Sequence, residues 1–180
     1  MSTNKKNLIL NLALKQFNEK GYVGTSINDI AKESNISKST MFHYFKNKED
    51  LFNQVFLKSK NIFIKNNFTS ILDISTDDFI EALEFQYNHQ EEMKFFNQFE
   101  YSPYISEESR NIVKEIYKPV INSIIQQQHD HQMIDLDPTF ICMFITNTLV
   151  TNYNKLFINN QVDREYAIKI HNFIKKALTF

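Results

Sequence analysis

Cysteine occurs once in the 180 residues, glycine twice and proline three times. A single cysteine, Cys142, excludes an internal disulfide and any cysteine-rich zinc site. So few glycines and prolines leave little of the turn chemistry that a many-stranded sandwich or barrel requires. Long apolar runs are missing too. The longest, Phe140 to Ile145, is far below the ~20 residues that span a bilayer. Near the N-terminus, Lys5 and Lys6 precede only a short apolar stretch broken by Asn11 and Lys15, which is not the pattern of a signal peptide. GxSxG, HExxH and a glycine-rich phosphate loop are absent, so no catalytic residue and no cofactor are expected. What is abundant excludes disorder: 42% of residues are hydrophobic and 17 are phenylalanine. The expectation is a soluble cytoplasmic protein, mostly helical, with no membrane segment.

The net charge of −1 conceals an uneven distribution. Residues 1–60 hold ten lysines, no arginine and five acids; residues 61–180 hold the other ten basic residues and sixteen acids. A front at +5 and a remainder at −6 suit a nucleic-acid-binding head on a non-binding body, although chance surface charge gives the same sums.

Apolar spacing locates the helices. Ile9, Ala13 and Phe17, with Leu10 and Leu14 beside them, form one stripe over Asn7 to Lys20, and Gly21 follows where a helix end favours positive φ. Ser26-Ile27-Asn28-Asp29 has the form of a capping box. The helix it opens is short, because Ser34-Asn35 interrupts the pattern and asparagine tolerates the left-handed region. Ser37 caps a further segment, Lys38 to Phe45, and Asn47 with Asp50 opens a long helix through Leu51, Phe52, Val55, Phe56, Ile62 and Phe63.

Two short helices joined by three or four residues must cross steeply, which is a helix-turn-helix arrangement. The second turns Met41 and Phe45 inward and leaves Lys38, Ser39 and His43 outside. A helix with a small, polar, basic face fits the width of a DNA major groove.

At these residues the chain resembles the TetR family of bacterial transcriptional regulators. The resemblance runs from about Leu8 to Val55. It rests on Phe17, Gly21-Tyr22, Gly24-Thr25-Ser26-Ile27, Asp29-Ile30-Ala31, Ile36-Ser37 and the unbroken run from Thr40 to Leu51. It implies an all-α protein of about nine helices. Residues 1–50 would be the DNA-binding domain and residues 51–180 a helical effector-binding and dimerisation domain. Carried over position by position, Lys38 to Phe45 becomes the recognition helix. Lys38, Ser39 and His43 would face base edges, Asn28 would reach the same groove, and Thr25, Ser26, Thr40, Tyr44 and Lys48 would touch phosphates. Phe42 stands where the family usually has tyrosine, and core packing is its expected place. Ser39 and Asn35 each replace a common glycine. With no arginine before Arg110, guanidinium reading of guanine is missing from the head, so an A·T-leaning operator is expected.

Beyond residue 65 no motif is sharp, but the helical spacing continues. Helices are expected over Asp77 to His89, over Glu107 to Gln128 with Pro119 bending it, from Pro138 to about Asn159, and over Arg164 to Leu178. Asn159-Asn160-Gln161 is expected as the loop between the last two. In the family those two helices pair with a second subunit. Here Thr139–Ile158 and Arg164–Leu178 would do so, through Phe140, Phe144, Leu149, Leu156, Ile168, Phe173 and Ile174. The middle helices would enclose an effector. Candidate linings are Phe85, Phe95, Phe96, Phe99, Tyr101, Tyr104, Tyr117 and Met143, although each taken singly suits plain core packing better than ligand contact. With Glu84, Glu100 and Glu115 nearby, either a hydrophobic ligand or a cationic aromatic one is accommodated.

Cys142 lies in an apolar run, as an inert buried thiol does. His129 and His131 are two apart, a spacing that separates them on a helix, so no metal site is expected. Two readings follow: a ligand-released repressor that binds a palindromic operator as a homodimer, or a helical interaction module or enzyme whose helix-turn-helix only packs.

Overall fold

The computed structural model describes residues 2–65 and 72–180. Among them are ten helices and one two-stranded hairpin. The helices are α1 (Ser2–Gly24), α2 (Ile27–Glu33), α3 (Lys38–Tyr44), α4 (Lys48–Lys65), α5 (Thr76–Asn88), α6 (Gln90–Phe99) and α7 (Glu107–His129). There follow α8 (Pro138–Thr151), α9 (Tyr153–Leu156), the strands β1 (Phe157–Ile158) and β2 (Gln161–Val162), and α10 (Arg164–Leu178). The chain forms two compact units. One comprises Met1–Lys65 with His89–Val113, the other Asn66–Asn88 with Lys114–Phe180. Compactness therefore does not divide the chain at residue 50. Helices α4 and α6 pack on each other and on α1, so they share a core with the helix-turn-helix.

That first core is built from the stripes read in the sequence. Ile9, Ala13 and Phe17 of α1, Met41 and Phe45, and Leu51, Phe52, Val55 and Phe56 of α4 are all fully buried. Rings dominate it. Phe52 meets Phe17 edge-on at 5.0 Å and Phe95 of α6 at 5.3 Å, while Phe96 stacks on Phe56 at 5.4 Å and on Phe63 at 4.3 Å. Each such pair adds about 0.5–1.5 kcal/mol beyond plain burial.

The second unit buries Phe79, Ile80 and Leu83 of α5, Ile124 of α7, Ile141 and Cys142 of α8, Leu156 of α9, and Ala167, Ile170, Ile174 and Leu178 of α10. Its buried His171 stacks on Phe79, with ring centroids 4.6 Å apart. Pro119 does lie inside a continuous α7.

One expected helix is corrected. The segment Thr139–Ile158 is not a single helix: α8 stops at Thr151. The side chains of Thr146, Thr148 and Thr151 bond back to the carbonyls of Cys142, Phe144 and Asn147, and Asn152 Nδ2 donates to Thr148 O at 2.8 Å. Such local bonds compete with the helical ladder. The chain then makes the single turn α9 and a tight hairpin in which Phe157 pairs with Val162 and Ile158 with Gln161. Asn159 and Asn160 form its turn with φ of 52° and 64°. Two successive residues at positive φ are what a two-residue hairpin loop requires, and asparagine is among the few that supply it.

Candidate nucleic-acid interface

Four local devices set the helix-turn-helix. Gly21, at φ 69° and ψ 177°, breaks α1 in a region that side chains strongly resist. Ser26 caps α2 by accepting from Asn28 N at 3.2 Å. Asn35, at φ 53°, turns the chain after α2. The Ser37 side chain then accepts from Thr40 N at 3.2 Å and opens α3. Behind α3 stands the start of α4, where Asp50 N donates to Asn47 Oδ1 and Lys46 N to Asp50 Oδ2, both at 2.8 Å.

This scaffold fixes what α3 shows to water. Met41 and Phe45 are fully buried, while Lys38, Ser39 and His43 are exposed as expected from the spacing. Phe42 corrects the reading: it is 45% exposed rather than packed in the core. The reason is angular. At ~100° per residue, Phe42 falls beside the Met41–Phe45 line rather than on it. Lys38 Nζ stands 6.0 Å from the Phe42 ring centroid, one helical turn back. The outward face therefore mixes an ammonium, a hydroxyl, an imidazole and a bare aromatic ring.

The flanking residues differ among themselves. Asn28 is exposed, and Ser26, Thr40 and Tyr44 are half-buried. Thr25 is only 3% exposed, with its hydroxyl within bonding distance of Gln16 O (3.1 Å) and Gly21 O (2.8 Å). It ties the turn to α1, and its side chain is not presented to solvent. Lys48 is half-buried: its Nζ donates to Val23 O at 3.3 Å and lies 4.5 Å from the Tyr22 ring centroid. Burial holds its pKa below the usual lysine value.

The other residues expected to act fall in separate places. Phe95, Phe96 and Phe99 belong to the ring-packed core of the first unit, where Tyr101 is 80% exposed and Tyr104 stacks on Tyr22. Phe85 and Tyr117, in the second unit, are half-buried. Met143 faces outward from α8 together with Phe140 and Val150, at 59% exposure for Phe140. From α10, Ile168 and Phe173 are exposed, Phe173 at 55%, and Phe144 lies 6.4 Å from Phe173. Phe144 and Leu149 are half-buried, whereas Leu156 and Ile174 are buried in their own unit's core. Among the described residues, no three histidine, cysteine or acidic side chains gather as a metal site would need, and no helix is long and apolar enough to cross a membrane.

Sequence reasoning passed over two features. The outward position of Phe42 was available from the helical angle. The stack of Tyr104 on Tyr22 was not, because no pattern links a loop residue to one 82 positions earlier.

The family model of bacterial regulatory proteins, tetR family, matches residues 9–55. The uncharacterized HTH-type transcriptional regulator YhgD of Bacillus subtilis is 45% identical over 56 residues, which are 31% of this chain and 29% of that protein. IcaR of Staphylococcus epidermidis, named as the negative transcriptional regulator of the biofilm operon icaADBC, is 37% identical over 59 residues, 33% of this chain and 32% of its own. The matches thus span about a third or less of the relatives' length. A crystal structure of AibR, solved with isovaleryl coenzyme A and operator DNA, shares the fold over 97% of this chain and 98% of its own, with a TM-score of 0.68 at 18% identity. Residues 9–55 thus match the head of the bacterial regulatory proteins of the tetR family, and the chain shares the fold of a solved regulator along nearly its whole length.

Proposed function

We propose that this protein is a transcriptional repressor that grips a palindromic operator as a homodimer in the cytoplasm and is released by a small hydrophobic or cationic aromatic effector; it is not an enzyme. Residues 1–50 do the reading and residues 51–180 hold the effector and the partner subunit. One observation carries the DNA-binding part: α3 is locked from behind by Met41 and Phe45 while Lys38, Ser39, Phe42 and His43 face water. A core helix would not leave four such groups uncovered within two turns. Base edges would meet Lys38, Ser39 and His43, with Asn28 alongside. Ser26, Thr40, Tyr44 and Lys48 would hold phosphates, and Thr25 would support them by fixing the turn.

Repression is supported by the negative regulator IcaR, which shares the head. Binding of a small molecule is supported by AibR, solved in complex with isovaleryl coenzyme A and operator DNA. The dimer is supported by the apolar residues that α8 and α10 leave uncovered: Phe140, Met143 and Val150, and Ile168 and Phe173. Two copies joined there would present two α3 helices, as a two-fold operator with half-sites one turn apart demands.

The test uses the full-length protein on DNA fragments selected from a random pool, titrated by fluorescence anisotropy at two salt concentrations. A phosphate-gripping dimer loses affinity by roughly 10³–10⁵ between 50 and 200 mM salt. Binding that is absent, or that ignores salt, would favour the helical interaction module instead.

A further inference from the structure

Lys48 is the cation of the proposed interface that the fold restrains most closely, and the restraint comes from an unexpected direction. Its Nζ donates to Val23 O at 3.3 Å and lies 4.5 Å from the centre of the Tyr22 ring. That same ring is stacked by Tyr104, with centroids 4.1 Å apart and planes 15° from parallel. A ring at 4.1 Å leaves no room for an ammonium on the same face, so Tyr22 is held between Tyr104 and Lys48. Phe52 closes its edge at 4.9 Å. Tyr104 sits in the connection between α6 and α7, outside the family-matched segment 9–55. The connection is also fastened to α4, where Ser106 N donates to Asn53 Oδ1 at 2.8 Å, and Ser109 Oγ in the first turn of α7 donates to the same oxygen at 3.4 Å.

We propose that Tyr104 is a positioning residue for the DNA contact: by backing Tyr22 it holds the Lys48 ammonium where a phosphate meets it, so the α6–α7 connection controls one backbone contact of the operator. This rests on the DNA-binding reading above. An ammonium has three N–H donors. Here one donates to Val23 O and at most one is directed at the ring face, so a donor remains for a phosphate oxygen. If Tyr104 leaves, the ring loses its backing and can tilt, and a long flexible lysine loses its preferred place. A movement of the α6–α7 connection would have the same effect, which gives this segment a means of weakening DNA binding without touching α3.

Operator affinity is measured against salt for the wild type, Tyr104→Ala, Tyr104→Phe, Lys48→Ala and the double variant Tyr104→Ala/Lys48→Ala, with thermal unfolding of each. Lys48→Ala should weaken all sequences alike and lower the salt slope by about one. Tyr104→Ala should weaken binding roughly threefold to tenfold, the size of one cation–π contact, and lose the same increment of slope. Tyr104→Phe should keep both, since the stack needs no hydroxyl. The double variant should bind as Lys48→Ala alone. Should Tyr104→Ala fail to fold, Tyr104→Leu keeps the bulk without the ring and takes its place. Losses that add in the double variant, or a Tyr104→Ala slope equal to wild type, would overturn the proposal while leaving the DNA-binding reading intact. A wild type that shows no salt-dependent binding would overturn both.

Discussion

Two faces of this protein lie outside its own cores, and they are made of opposite chemistry. On α3 the exposed set is Lys38, Ser39, Phe42 and His43; on α8 and α10 it is Phe140, Met143, Val150, Ile168 and Phe173. The first face is mostly at home in water and gains from a charged, hydrogen-bonding partner. The second is not, since adjacent large apolar groups in water cost about 25 cal/mol per Å² until something apolar covers them. The difference teaches which partner each can take: the α3 face suits a polyanion, and the α8–α10 face suits another apolar helix pair.

The comparison breaks most visibly on the apolar side. Phe140→Asp with Phe173→Asp should leave the fold intact, because both side chains already face water, yet convert a dimer to a monomer in sedimentation. Operator affinity should then fall more than about 100-fold, because the two half-sites no longer bind as one unit. Dimers that survive the pair of aspartates would remove α8 and α10 from the interface.

On the polar side the expected effects are smaller and specific to position. Lys38→Ala or His43→Ala should relax preference at individual base pairs, at about 1–3 kcal/mol each. Phe42 offers a cleaner separation. An exposed ring on a reading helix fits the methyl of thymine. Replacing thymine by uracil in a selected operator removes only that methyl, so wild-type affinity should drop severalfold at one position and the Phe42→Ala variant should be indifferent. Equal sensitivity in both proteins would take Phe42 out of the readout. Below these stands Gly21→Ala. Nothing lies within 4 Å of an added Cβ, so the whole cost, about 1–3 kcal/mol in thermal unfolding, should be backbone strain at φ 69°.

Legibility followed the same division. In the head, helix caps and apolar spacing are local signals, and Ser26, Ser37, Asn35 and Asn47 act where the sequence places them. Phe42 was misplaced because its neighbours Met41 and Phe45 are core residues and hydrophobicity alone does not resolve an ~80° change of direction. In the second unit the apolar run Phe140–Ile145 is followed by Leu149, Val150 and Leu156 at spacings a continuous helix also allows, so periodicity could not show where α8 ends. The thresholds that decide it are threonine back-bonds and the paired asparagines 159 and 160. Within the interface list, Leu156 and Ile174 turned out to be core while Met143 and Val150 face out. Spacing shows a stripe, but not which of two apolar stripes the protein's own core will cover.

The smallest expected effect concerns pH and belongs to the polar side alone. Asp50 closes the start of α4, the helix that carries Lys48. Burial alone would raise its pKa, but hydrogen bonds from Gln54 (2.9 Å) and Lys46 N (2.8 Å), with the Lys46 and Lys6 ammoniums, outweigh it and hold the carboxyl below the usual carboxylate range. A carboxyl depressed in the folded state stabilises it fully above its unfolded pKa, and that contribution disappears as pH falls through the folded value. Acid should therefore loosen the α4 cap in steps below pH ~4. Asp50→Asn should lower the unfolding temperature at neutral pH and flatten its decline into acid. A variant that declines into acid as steeply as wild type would show that the cap holds α4 by geometry rather than by charge.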